Sequence, residues 1–359
     1  MNLVEKNFEK SSSCSSNYSS ASTAEAEEIY SISKLKGNKL TIKKTELNRE
    51  KIYKCKIIGN FMGSFKKVNI LEIYKKKKNG VPSTKIKHIN KYVLIEEIGS
   101  SKTLHFDQSI RDFLLKQGAI IQPQELIAKG LSFPFALQLR RLTYKEIKEG
   151  LTDLRKIADV AKQQIESVKF MHDIKMVHLD IKPENFLYEI NREGRLQAFL
   201  NDFDTARDMG VPMGFLSGSY IYMPSEAFQA NVLKEALLLE EKIHLPESVD
   251  ETWDIFSFGV ILLEFGIRLL PDSSEKTFIE KYLSLKVSFD KMLYKAFSKE
   301  VLRERKSLLE HLQRIIEGFS FGEPLHLYFS TAQQMMHLNP SNRLPLEFAI
   351  KNLEEILNF

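Results

Sequence analysis

His178-Leu179-Asp180-Ile181-Lys182-Pro183-Glu184-Asn185, followed by Asn201-Asp202-Phe203-Asp204, decides how this chain is read. One stretch holds a carboxylate fit to act as a base, a lysine two residues on, a neutral amide oxygen and then a second carboxylate. Phosphoryl transfer from ATP asks for these parts. Its transition state is loose, so a protein contributes by aligning the acceptor hydroxyl and neutralising charge on the phosphoryl oxygens. Asp180 is placed to accept the hydroxyl proton. Lys182, along an extended loop, reaches the same side and offers the moving group a compact point charge. Asn185 and Asp202 supply the hard oxygen atoms that Mg2+ selects, and are read as ligands of a nucleotide-bound metal. A charged surface loop between two helices is the bland alternative, and the ordered landmarks downstream argue against it.

His178, Asp180, Lys182 and Asn185 resemble the catalytic loop of the eukaryotic-type protein kinase family, and Asp202-Phe203 the first two positions of its metal-binding triplet. The likeness runs from about Tyr53 to Phe359, and Lys182-Pro183-Glu184 resembles the serine/threonine branch. It implies an α+β, bilobal fold with a small β-rich N-lobe and a larger helical C-lobe. It also implies ATP and Mg2+ as cofactors, a protein substrate with a Ser or Thr acceptor, and a bracing role for His178 beside the triplet.

Tyr222-Met223-Pro224-Ser225-Glu226 resembles the end of the family's activation segment, with Pro and Ser exchanged. Glu226 is expected to pair with Arg343, because a buried charge of this kind needs its partner. Asp254 to Glu264 resembles the family's central helix, in which the first Asp supports the catalytic-loop backbone; a plain N-cap is the simpler reading. The stretch between Glu226 and Asp254 reads as an insertion with helical text at Val232 to Glu240. Leu151 to His172, Val301 to Phe319 and Pro345 to Leu357 have the apolar periodicity of amphipathic helices.

Upstream, Ile58-Gly59-Asn60-Phe61-Met62-Gly63-Ser64-Phe65-Lys66-Lys67-Val68 resembles the family's phosphate loop, with Gly63 and Val68 in pattern and Phe61 and Lys66 where outer glycines usually sit. A side chain there hinders close approach of the backbone amides to phosphate. Lys85 to Ile89 reads as the next strand and makes Lys87 the nucleotide-orienting lysine. A competing alignment puts Tyr92 to Glu96 on that strand, Glu96 replacing the lysine, and predicts weaker nucleotide binding. Helical text at Phe106 to Gln117 offers Asp107 or Asp112 as the lysine's acidic partner and decides for neither. Leu179 stands where an arginine commonly binds a phosphorylated segment, and Asp204 where a hinge glycine is usual. Together they predict a fixed activation segment that needs no phosphorylation.

Residues 1–48 are expected to be a disordered Ser-rich tail, since Ser11 to Thr23 cannot bury enough apolar surface to offset ordering entropy. Such a tail suits phosphosites or the uncleaved secretion signal of a bacterial effector-like kinase. Order is expected to begin near Lys51, with the N-lobe over 49–140 and the C-lobe over 141–359. With 52 basic and 47 acidic residues, a net charge of +5 is too mild to argue for nucleic acid. The four lysines at 75–78 read as a solvated hairpin tip. No run reaches the about 18 apolar residues of a membrane span. Cys14 and Cys55 are too few for a disulfide framework and fit a reducing, cytoplasmic setting, the host cytosol if the chain is a secreted effector. A monomer is expected. Two other functions stay in view: a small-molecule phosphotransferase resembling aminoglycoside and choline kinases, and a pseudokinase scaffold that keeps the fold with weak or no turnover.

Overall fold

The computed structural model describes residues 29–35, 39–46, 49–62, 66–74, 91–97, 103–121, 125–127, 135–211, 219, 221–224, 226–227, 249–292, 299–318 and 322–359. Strand-forming text opens the order: β1 (Ile29–Leu35), β2 (Lys39–Glu46), β3 (Arg49–Met62), β4 (Lys66–Tyr74) and β5 (Lys91–Glu97). Helix α1 (Thr103–Lys116) follows, then β6 (Glu125–Ile127) and β7 (Phe135–Leu139). These strands form one antiparallel sheet in the order β1-β2-β3-β4-β5-β7-β6. A bulge between Ile57 and Gly59 breaks the β3–β4 register, an extra residue of the kind that re-aims a strand.

The sheet corrects the expected limits of the tail. β1 and β2 lie inside 1–48, and Ile32, Ile42 and Tyr53 stand in one cross-strand row. Serine-rich composition hid this. Two short strands that bury little alone gain a full backbone ladder once β3 is beside them, and cross-strand pairs then stabilise them.

Between Leu139 and Leu142 the chain passes to a second, three-stranded sheet of order β11-β10-β8, with β8 (Leu142–Thr143), β10 (Phe186–Ile190) and β11 (Leu196–Leu200). The short helix α2 (Tyr144–Ile147) leads to α3 (Leu154–Asp173), whose N-cap Asp153 accepts from Lys156 N at 2.9 Å. β9 (Met176–Val177) pairs with β12 (Arg207–Asp208). The remainder is helical: α4 (Thr252–Gly266), α5 (Ser274–Met292), α6 (Lys299–Glu317), α7 (Leu325–Met335) and α8 (Leu346–Asn358). Among the described residues no helix is long and apolar enough to cross a membrane.

α4 is buried on nearly every side, which its run of apolar residues permits. It packs on α7 and α3, and α3 packs in turn on α8 and β11. Gly259 lets α4 and α7 approach: a Cβ there would overlap Met336 Cγ and lie 2.8 Å from the Ala332 carbonyl oxygen. Alanine gains about 1 kcal/mol of helix propensity over glycine, but overpacking a fixed backbone costs about 1–3 kcal/mol. Gly259→Ala should therefore lower unfolding free energy, by up to about 2 kcal/mol in urea titration, opposite in sign to its propensity.

Candidate active site

Two ladders bring the distant motifs together. Val177 pairs with Arg207 in β9–β12, and Phe186 with Leu200 in β10–β11, so the loop 178–185 and the segment 201–206 run alongside each other. Asn201 N donates to the Asn185 carbonyl at 2.9 Å where the second ladder ends.

The loop is held from below by Asp254, at the first turn of α4 and wholly buried. One carboxylate oxygen accepts from Leu179 N at 2.8 Å, the other from His178 N at 2.8 Å, with His172 Nε2 3.0 Å away. Leu179 sits at φ +66°, a left-handed conformation that costs a side-chain-bearing residue about 1–2 kcal/mol. The carboxylate stabilises that bend by accepting both amides. Burial pushes the Asp254 pKa up, and the interactions with His172 and His178 outweigh it, so the group lies below its ordinary value. His178 braces the neighbouring segment: its Nε2 lies 3.1 Å from the Asn201 carbonyl and its ring 5.4 Å from that of Phe203.

Asp180 is the meeting point. Lys182 Nζ lies 2.7 Å from its Oδ2, Asn185 Nδ2 donates to Oδ2 at 3.0 Å and to the Asp180 carbonyl at 2.7 Å, and Ser219 N donates to Oδ1 at 3.1 Å. Lys182 Nζ also donates to Ser219 Oγ at 3.0 Å. Burial works against the ammonium, but the charges of Asp180, Asp202 and Glu184 outweigh it and raise the Lys182 pKa. Lys182 thus carries its charge at neutral pH, in direct contact with the Asp180 carboxylate.

Asp202 has φ +63°. Carboxylate oxygens of Asp202, Asp204 and Asp107 lie within 4.8 Å of one another. With its amide nitrogen committed to Asp180, Asn185 offers a cation its Oδ1. Asp107 gives its carboxylate to Arg111 and Phe203 N, and the oxygens of Asp202, Asp204 and Asn185 are hard donors of a kind that fits Mg2+ rather than a softer ion.

The N-lobe readings fare differently. Asp107 is fully buried and bonds to Arg111, while Asp112 is exposed and accepts from Gln108 at 2.7 Å. Among the described residues, the strand paired with β4 on this side is Lys91–Glu97, which carries Glu96 in register with Lys67. Lys87 precedes that strand and, with Gly63, lies outside the described residues. Val68 lies on β4 between Phe61 and Ile95.

Toward the C-lobe, Arg343 makes a two-pronged contact with Glu226 at 2.5 and 2.9 Å and also donates to the carbonyls of Thr252 and His337. Ser257 Oγ donates to the Tyr222 carbonyl at 2.8 Å, tying the segment to α4. Sequence reading overlooked Ser219, Arg111 and Asn201. The i, i+4 spacing of Asp107 and Arg111 was a usable signal of their pairing; that both face inward was not.

The protein kinase domain model matches residues 115–352. The chain belongs to the protein kinase family. A cyclin-dependent kinase 11 of Dictyostelium discoideum is 27% identical over 198 residues, 55% of this chain and 51% of that protein. Serine/threonine-protein kinase PEPKR2 of Arabidopsis thaliana is 25% identical over 239 residues, 64% of this chain and 46% of the relative. A myosin light chain kinase 2 of Rattus norvegicus is 29% identical over 141 residues, covering 39% of this chain and 20% of its own. The chain thus spans about half or less of the length of these relatives. The match opens at Leu115, near the end of α1, so β1 to β5 precede it.

Because its folded pKa is depressed, Asp254 stabilises the fold fully above its unfolded value of about 4, and this contribution fades as pH falls through the lower folded value. Asp254→Asn should cost about 3 kcal/mol near neutrality, two charge-assisted bonds being weakened. Urea titrations from pH 7 to 2.5 should show a constant gap between wild type and variant down to about pH 5, closing below about pH 4.

Proposed function

We propose that this chain transfers the γ-phosphoryl group of ATP to Ser or Thr hydroxyls of protein substrates. The observation that carries the reading is the Asp180–Lys182–Ser219 triangle: a part-buried carboxylate held by Asn185 Nδ2 and Ser219 N, with a charged lysine 2.7 Å away. Asp180 accepts the acceptor's proton as its oxygen bonds to phosphorus and the bond to the ADP oxygen breaks. Lys182 sits where charge on the transferred group is stabilised by a fixed cation. Asp202 and Asn185 would hold Mg2+, which when bound neutralises and orients phosphate oxygens.

A small pocket beside Asp180 is lined by Leu179, Ile181, Ser219, Tyr222, Met223, Pro224, Trp253 and Ser257. Leu179 lines that pocket where a phosphate-binding cation would otherwise stand, which supports activity independent of segment phosphorylation. The Glu226–Arg343 pair and the family membership favour a protein acceptor over a small alcohol. The unpatterned cysteines extend the proposal to a reducing cytosolic setting.

A catalytically weak scaffold is the second reading, favoured by Glu96 on β5 in place of a nucleotide-orienting lysine. Incubation with Mg-ATP, a generic protein acceptor and a panel of small alcohols, beside Asp180→Asn, separates them. Transfer to Ser or Thr should fall about 10²–10⁴-fold in the variant while nucleotide binding persists. Undiminished transfer removes Asp180 as base, and nucleotide binding with no transfer in either protein favours the scaffold.

A further inference from the structure

We infer that Arg111, acting with Asp107 through residues 201–203, is a positioning residue that fixes the carboxylate of Asp202 for metal binding. The inference rests on the magnesium and nucleotide reading above.

Both side chains are 1% exposed. Arg111 Nε and Nη2 lie 2.9 and 3.1 Å from the Asp107 carboxylate. From this pair two arms reach the same tripeptide. Arg111 Nη2 donates to Asn201 Oδ1 at 2.9 Å, before Asp202, and Phe203 N donates to Asp107 Oδ1 at 2.7 Å, after it. The guanidinium carbon also lies 4.9 Å from the centre of the Phe203 ring.

Asp202, between the two arms, has φ +63°. A non-glycine residue stays there only where its surroundings over-determine it. Relaxation to negative φ would redirect the Asp202 carboxylate away from its place within 4.8 Å of the Asp107 and Asp204 carboxylate oxygens. The two arms oppose that by fixing the residues on either side. Net stability is a poor explanation for the pair, because a buried ion pair is often no better than apolar residues of the same volume. A geometric role accounts for it.

The test uses the full chain, a non-hydrolysable ATP analogue and titrated Mg2+, and reads the Mg2+ concentration at half-maximal thermal stabilisation. Asn201→Ala removes one arm and leaves the Asp107–Arg111 pair intact. Its midpoint should rise about tenfold, and that of Asp107→Asn combined with Arg111→Met by about 10–100-fold, the usual range for residues that orient a metal ligand. Arg111→Lys should fall between wild type and the double variant. Lower melting temperatures with unchanged midpoints would overturn the inference, and if the double variant does not fold, Asn201→Ala alone decides. A wild type whose melting ignores Mg2+ rejects the magnesium reading itself, and the inference with it.

Discussion

Asp254 places a full negative charge at the buried start of an apolar helix, where isolation would cost several kcal/mol. It is tolerated because two backbone amides and an imidazole point at it. The amides belong to His178 and Leu179, the residues directly before Asp180, so the solvation of one buried carboxylate fixes the entry to the catalytic loop. α4 is rigid because it is buried on nearly every side. The loop inherits that rigidity, and its strained residue at 179 is held rather than left to relax.

The same principle recurs around the site. Arg343 satisfies Glu226 and two carbonyls at the end of the activation segment. Lys182 satisfies Asp180 and Ser219, and Arg111 satisfies Asp107 and Asn201. Each buried or half-buried charge joins segments far apart in the chain. Low local dielectric makes such a contact costly to leave half-made, so these pairs define one arrangement of loop, triplet and segment.

The catalytic loop was legible because its chemistry demands particular residue types at short spacing. Asp180, Lys182 and Asn185 lie within six consecutive positions, and the structure brings them to mutual hydrogen-bond distance. The Glu226–Arg343 pair was legible from two motifs, and the long helices from periodicity, with ends displaced by only a few residues. The N-lobe was read less well. Alternating text around Lys87 and around Tyr92-Val93-Leu94-Ile95 competes for one strand; the second pairs with β4 and β7, and Lys87 lies outside the described residues. β1 and β2 were missed because their order comes from β3, a neighbour that composition cannot see.

Sequence alone singled out the candidate site residues, since hard oxygen donors, a carboxylate and a lysine at short spacing have few substitutes. The family's helical C-lobe followed from the order of the motifs and the apolar periods. Tertiary structure alone decided which of two acids on α1 turns inward, that Arg111 and Asn201 flank Asp202, and that Ser219 closes on Asp180. These are contacts between elements 37 to 96 residues apart. No local spacing encodes them, because they exist only once helices and strands have packed and buried charges must find partners.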